Sequence, residues 1–428
     1  MTVRIRSMAA GVAALLAVVF HAACPSQGDY VPPEEVRSDL PRGDPSTVPS
    51  GDVNELVAGN TEFSFDLLHA LASENGDLFY SPYSITQALA MTYAGARGDT
   101  AAQMVDVLHF TLPPERLHPA FNRLDQELRA SGQDADEPFE LHLANAIWAQ
   151  AGFELDQAFL DTLAVHYGAG VYLADFAGAP EAARETINTW VSDQTEDRIN
   201  DLLPSGVINP DVLLVLTNAI YFKAAWMHKF DEDHTRDEDF YPEGGGVVQV
   251  PMMQQQRNFS YVLGDGLQAL EMPYDGGDLS MVVVLPDPGL FDEISTTLDG
   301  STLGGLIAGL QTQYVHLELP RFTYDSSFQL ETTLGVLGMD DAFDPTHADF
   351  TGMSSWPGLY IMSVVHKAFV YVHEAGTEAA AATAVVMGAD ASAPPTPVEF
   401  IVDRPFLFLI RDRGTGTILF LGRVEDPS

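Results

Sequence analysis

Apolar positions recur three and four residues apart through "DVNELVAGNTEFSFDLLHALAS", which predicts an amphipathic helix beginning near Asp52. Ser81 stands directly before Pro82, a helix-start signature, and the pattern beyond it predicts a helix to Tyr93. A third helix is predicted over Glu181–Leu203, carrying Ile187, Trp190, Val191 and Ile199. Between these, "LHLANAIWAQ" alternates with the period of a strand, and the long, mainly apolar run Leu213–Phe222 predicts a strand buried on both faces.

The second half of the chain has the period of strands. "FSYVLGDGLQALEMPYDGGDLSMVVVLP" predicts three strands separated by Gly-Asp and Gly-Gly turns. "VHLELPRFTYDSSFQLETTLGVLG" predicts a strand followed by a helix, "YIMSVVHKAFVYVHEAG" a strand, and "PFLFLIRDRGTGTILFLGRV" a closing hairpin. Helices early and strands late, without regular alternation, predict an α+β fold with large mixed or antiparallel sheets. One stretch does not fit: "VHEAGTEAAAATAVVMGADASAPP", Val372–Pro395, holds four consecutive alanines, which favour helix, between two runs that favour strand.

Composition narrows the class. With 428 residues, 46% of them hydrophobic and only 19% charged, the chain can bury a large core. Sixty-one acidic against 20 basic residues give a formal charge of −41, so a phosphate backbone would be repelled. Nucleic acid is therefore excluded as a partner. Lys223, Lys229 and Lys367 are the only lysines, and no basic patch suits heparin or an anionic membrane.

The first residues, "MTVRIRSMAAGVAALLAVVFHAAC", place Arg4 and Arg6 before an apolar run from Met8 to Phe20, the layout of a secretory signal over residues 1–23. Cys24 follows "HAA" directly and is the single cysteine, which resembles a bacterial lipoprotein signal with Cys24 as the lipidated residue; plain secretion is the alternative. Both predict an exported protein, and neither permits an internal disulfide. Residues 24–50, rich in proline, serine and acidic side chains, read as a solvated tether ahead of a domain over 51–428.

Local signatures of catalysis are missing: there is no GxSxG, HExxH, P-loop or Cys-x-x-Cys, so the chain does not read as an enzyme. Asp231–Asp239, "DEDHTRDED", lacks the glycine and distal glutamate of a calcium loop and reads as a solvated acidic loop, and neither a metal nor a cofactor is expected. His366, inside the apolar run "VVHKAF", reads as a buried structural histidine bonded to Ser and Asn side chains. Trp190 and Trp226 read as core residues.

Six segments in order, "LFYSPYSITQALAMTYAGARGDTAAQM", "NAIYFKAAWMHKF", "MPYDGGDLSMVVVLP", "LGMDDAFDPTHADFTGM", "HKAFVYVHEAGTEAAAATAV" and "RPFLFLIRDRGTGTILFLGRV", together resemble the serpin family. The resemblance implies a serpin fold of about nine helices and three β-sheets with an exposed reactive-centre loop. It implies a suicide-substrate inhibitor of serine or cysteine endopeptidases, trapping the acyl-enzyme as the cleaved loop inserts into the main sheet. Carried over by position, the hinge is Glu374, Gly376, Thr377, Glu378, Ala379, Ala380, Ala381, Ala382 and Thr383, and the reactive bond is Asp390–Ala391, with Ala389 as the alternative. Ser81, Ser84, Asn218 and His366 match the family's polar cluster beneath the opening sheet, Trp226 the tryptophan near the point of first insertion, and Arg321 the basic partner of Glu374.

Alternate residues of an inserting strand must enter a packed core, and Thr377, Ala379, Ala381, Thr383 and Val385 are all small or β-branched. Asp390 before the bond implies an Asp-preferring target; Ala389 or Met387 there implies an elastase- or subtilisin-like one. The expected state is a monomer. The rival expectation is a non-inhibitory serpin serving as an envelope binding or structural protein.

Overall fold

A computed structural model describes residues 33–72, 76–133, 135–377 and 396–428. Pro33–Ser428 forms one compact unit. Its first part runs β1 (Glu34–Val36), α1 (Ser50–Leu71), β2 (Leu78–Tyr80), α2 (Pro82–Tyr93), α3 (Gly98–Val107) and α4 (Pro114–Ala130). Then come β3 (Glu140–Gln150), α5 (Gln157–Tyr167), β4 (Val171–Ala174), α6 (Pro180–Gln194) and β5 (Leu214–Ala225). The strand-rich part runs β6 (Arg236–Phe240), β7 (Val248–Leu263), β8 (Leu267–Pro273), β9 (Leu279–Pro286), α7 (Phe291–Thr297) and α8 (Gly300–Gly309). It ends with β10 (Gln311–Pro320), β11 (Phe322–Gln329), α9 (Glu331–Leu337), β12 (Ser363–His373), β13 (Gly376–Thr377), β14 (Val398–Ile401), β15 (Phe406–Asp412) and β16 (Ile418–Val424). The α+β class and the number of helices among the described residues match expectation.

The strands form two hydrogen-bonded networks where three sheets were expected. Seven strands are ordered β1-β4-β3-β5-β13-β12-β11, and the other nine run β14-β10-β7-β8-β9-β15-β16-β2 with β6 beside β7. The long strand β7 accounts for the difference. Its first residues pair β6, its middle pairs β10 and its last four pair β8, so two lobes share one strand.

Alternation along β5 explains why it is apolar on both faces over most of its length. Leu214, Leu216, Ile220 and Phe222 face the main core, whereas Val215 and Ala219 face a second cluster beneath α6 with Trp148, Ile187, Trp190 and Val365. The seven-stranded sheet is thus covered on both faces where β5 lies.

Four local expectations change. Residues 33–50 are packed rather than a solvated tether: β1 pairs β4, Ser38 Oγ donates to Asp161 at 2.6 Å, and Arg42 donates to Asn122 at 2.9 Å and pairs with buried Asp125. Ser38 and Arg42 are matched to distant partners, which composition does not register. The helix expected over 181–203 stops at Gln194, because Glu196 and Asp197 take left-handed φ values of 50° and 60°. The single strand expected across Pro320 is two, β10 and β11, since proline has no N–H to carry a ladder onward. Finally, part of the acidic segment is the edge strand β6, whose Arg236–Asp239 are exposed while Phe240 is buried.

Candidate functional site

The seam between β5 and β12 has two different states along its length. From Ser363↔Val215 to Phe369↔Tyr221 the two strands pair directly and in parallel. Above that level β12 turns back on itself through Glu374 and Ala375, and β13 lies between them, Thr377 opposite both Val372 and Ala224. Two residues, Gly376 and Thr377, therefore lie as a short strand between β5 and β12.

This wedge is possible because of its residue types. A Cβ on Gly376 would stand 2.1 Å from the Ala224 carbonyl oxygen, so only glycine lets the backbones approach. Thr377 is buried, and its hydroxyl bonds the Tyr274 hydroxyl at 2.8 Å. Tyr274 stacks on Trp226 with ring centroids 4.6 Å apart, and burial holds its phenol well above the ordinary value, so it is neutral. Trp226 in turn clasps the hairpin: Nε1 donates to the His373 carbonyl at 2.9 Å and its backbone N–H to that of Ala375 at 2.9 Å.

At the turn, the buried Glu374 carboxylate accepts from Thr235 Oγ1 at 2.7 Å, and Arg321 approaches it at 3.5 Å. Its carbonyl accepts the Phe230 N–H at 2.9 Å. Because Arg321 is 39% exposed and the contact is long, Thr235 and the backbone are the firmer fastenings.

Lower down, the closed part of the seam holds a buried polar network. His366 and Asn218 are register partners across the seam, and Asn145 is the partner of Asn218 on β3. His366 Nδ1 donates to Asn218 Oδ1, and its Nε2 accepts the Ser81 N–H at 3.2 Å. Burial holds the imidazole down to about 3, so it is neutral. Asn218 Nδ2 donates to Ser84 Oγ at 2.7 Å, and Ser84 Oγ donates to Asn145 Oδ1 at 2.9 Å. Ser81 enters through its backbone, its hydroxyl being used to cap α2 at the Ser84 N–H. Every bond of His366 crosses from β12 to another element.

A sheet with a loosened seam, a hinge lodged at its top and a polar lock at its middle is a specific arrangement. The family model described as "Serpin (serine protease inhibitor)" matches residues 58–427. The chain belongs to the serpin family. Leukocyte elastase inhibitor of Bos taurus is 40% identical over 387 residues, 88% of this chain and all of that protein. Among solved structures, the native state of the thermophilic serpin tengpin superposes with a TM-score of 0.82 at 28% identity, covering 92% of this chain and all of tengpin. Human thyroxine-binding globulin, solved with its hormone, superposes with a TM-score of 0.79 at 29% identity, covering 88% of this chain and all of that one.

Of the residues that the resemblance marked in this serpin, Glu374, Gly376, Thr377, Trp226 and Arg321 meet at the top of the seam, and Ser81, Ser84, Asn218 and His366 meet at its middle. Glu378, Ala379, Ala380, Ala381, Ala382, Thr383, Ala389, Asp390 and Ala391 lie outside the described residues, as does Cys24. Sequence reasoning missed Tyr274, Thr235 and Asn145. Asn145 carried a signal, being polar on the face of "LHLANAIWAQ" that is otherwise apolar around it, whereas Tyr274, just after β8, and Thr235, just before β6, are brought to the hinge from distant parts of the chain.

Proposed function

We infer that this serpin is an inhibitor of serine proteases that acts by inserting its cleaved loop into the β5/β12 seam. The observation that carries the reading is the seated hinge: Gly376 and Thr377 occupy the first two positions of the strand that must form, with Thr377 already turned into the core. A target serine attacks the loop carbonyl and releases the new amine, leaving the acyl-enzyme on the hinge side. The freed strand then extends β13 downward.

The existing register says what each later residue would meet. Every step along the hinge is one step back along both β5 and β12, so Thr383, six beyond Thr377, arrives between Asn218 and His366. It replaces their mutual hydrogen bond with its own hydroxyl, so the lock opens without orphaning buried polar atoms. Ala379, Ala381 and Val385 arrive on the same face beside Phe222, Ile220 and Leu216, where a small side chain is what the packed core admits. Each new cross-strand pair contributes roughly 0.2–1 kcal/mol, which favours the inserted state. The native form is accordingly held by a kinetic barrier.

Similarity to leukocyte elastase inhibitor supports the protease class, and similarity to thyroxine-binding globulin shows that the fold alone does not decide it. The rival, a non-inhibitory envelope binding or structural protein, has no use for a hinge free of bulk and charge on its inward face. The proposed reactive bond is Asp390–Ala391, with a bond after Ala389 as the alternative, in a monomer exported with or without a lipid on Cys24.

Mixing the protein with elastase, subtilisin, chymotrypsin and an Asp-specific protease tests the reading. A complex that survives SDS is the expected result, and the mass of the released C-terminal peptide assigns the bond. Cleavage by these enzymes with no complex from any of them would sink the proposal in favour of the rival.

A further inference from the structure

The outer face of the seven-stranded sheet carries a second constellation, remote from the hinge. Glu140 and His142 stand two apart on β3, so both side chains project from the same face. Glu196 comes down onto them from the segment that follows α6. His142 Nε2 lies 3.5 Å from Glu140 Oε2 and 3.7 Å from Glu196 Oε1, and the three ligand atoms all lie within 4.8 Å of one another. N–H···O hydrogen bonds run about 2.7–3.2 Å, shorter than either contact. Ligands about 2.0–2.2 Å from a tetrahedral zinc ion stand about 3.4 Å apart, close to the two His142 contacts. Among the described residues, no other group of three such ligand atoms converges.

We propose that Glu140, His142 and Glu196 form a zinc site that ties the segment after α6 to β3. The nitrogen donor favours zinc over calcium or magnesium, which take oxygen, and three protein ligands leave a fourth position for water. Supporting groups are in place. Lys223 Nζ holds the other Glu140 oxygen at 2.7 Å, which aims Oε2 at the site and keeps the carboxyl below its ordinary value. The His142 ring leans on Tyr221, with centroids 5.6 Å apart.

What the ion would fasten is a strap across the sheet. Glu196 sits over β3, the Arg198 guanidinium over the Tyr221 ring of β5 at 5.9 Å, and the Asn200 carbonyl accepts from Lys367 of β12 at 3.3 Å. The strap therefore spans the β5/β12 seam, and zinc adds a coordinate anchor at its β3 end. The site goes beyond the inhibitory reading and does not depend on it.

The test uses the full chain without an affinity tag, stripped of metal, and titrated with zinc chloride in millimolar calcium by calorimetry. One zinc ion per chain is expected, with affinity reduced at least about tenfold by His142→Ala and by Glu196→Gln and unchanged by His234→Ala in the acidic segment. Amide hydrogen exchange of residues 195–200 should slow with zinc in the wild type and not in His142→Ala. No saturable binding, or binding that survives both substitutions, would overturn the site; unchanged exchange on zinc binding would overturn the strap.

Discussion

The top and the middle of the same seam are built on opposite principles. At the top, the strands β5 and β12 are parted by two residues with minimal side chains, held by a tyrosine hydroxyl, a tryptophan clasp and one long ion pair. At the middle, the strands touch, and a neutral histidine and two asparagines join three adjacent strands to the start of α2. The contrast says where the proposed insertion would meet resistance. On the proposed mechanism the hinge need not part the top, where Gly376 and Thr377 already lie between β5 and β12, and the side-chain bond it must break lies between Asn218 and His366.

The largest effect should come from making the seated hinge incompatible with the core. Thr377→Arg would bury an unpaired guanidinium against Tyr274, at a cost of several kcal/mol. The SDS-stable complex should vanish while loop cleavage continues at its former rate, and persistence of the complex would mean that insertion does not begin at this position. Next in size, His366→Ala leaves the Ser81 N–H and Asn218 Oδ1 without their His366 partner inside the core. It should lower native stability by about 2–5 kcal/mol in urea denaturation. A loss below that range would place the closing energy outside the lock.

A smaller effect should appear in the pH dependence. His366 titrates near 3 when folded and near 6.5 when unfolded, so below 6.5 the unfolded chain takes up a proton that the native one refuses. Stability is lost as pH falls from 6.5 toward 3, by about 2 kcal/mol between pH 7 and pH 5 from this group. A His366→Gln variant should lose that much less over the same interval, a difference that separates the lock from carboxylate titration elsewhere. The smallest effect is expected from Arg321→Ala. Its partner keeps Thr235 and the contact is long and half-exposed, so a change under about 1 kcal/mol is expected by thermal denaturation. A much larger loss would move weight from the middle of the seam to its top.

Much of this was legible in residue order. The period of α1, the Ser81 cap, the doubly buried β5 and the small residues of the hinge all follow from local pattern, because backbone geometry repeats every 3.6 or every two residues. The errors came where partners are remote. The paired segment 33–50, the early end of α6 at Gln194 and the lobes joined by β7 each depend on contacts across the chain or, for α6, on two left-handed residues.

The sequence by itself determined that Gly376 and Thr377 could lie in a closed sheet, since side-chain size and charge are properties of the residue alone. Only the tertiary structure decided that they do lie there, with Thr377 against Tyr274, Asn145 beside Asn218, and Glu196 over His142. Strand order and register are set by packing between segments far apart along the chain, and no local periodicity encodes which strand becomes the neighbour.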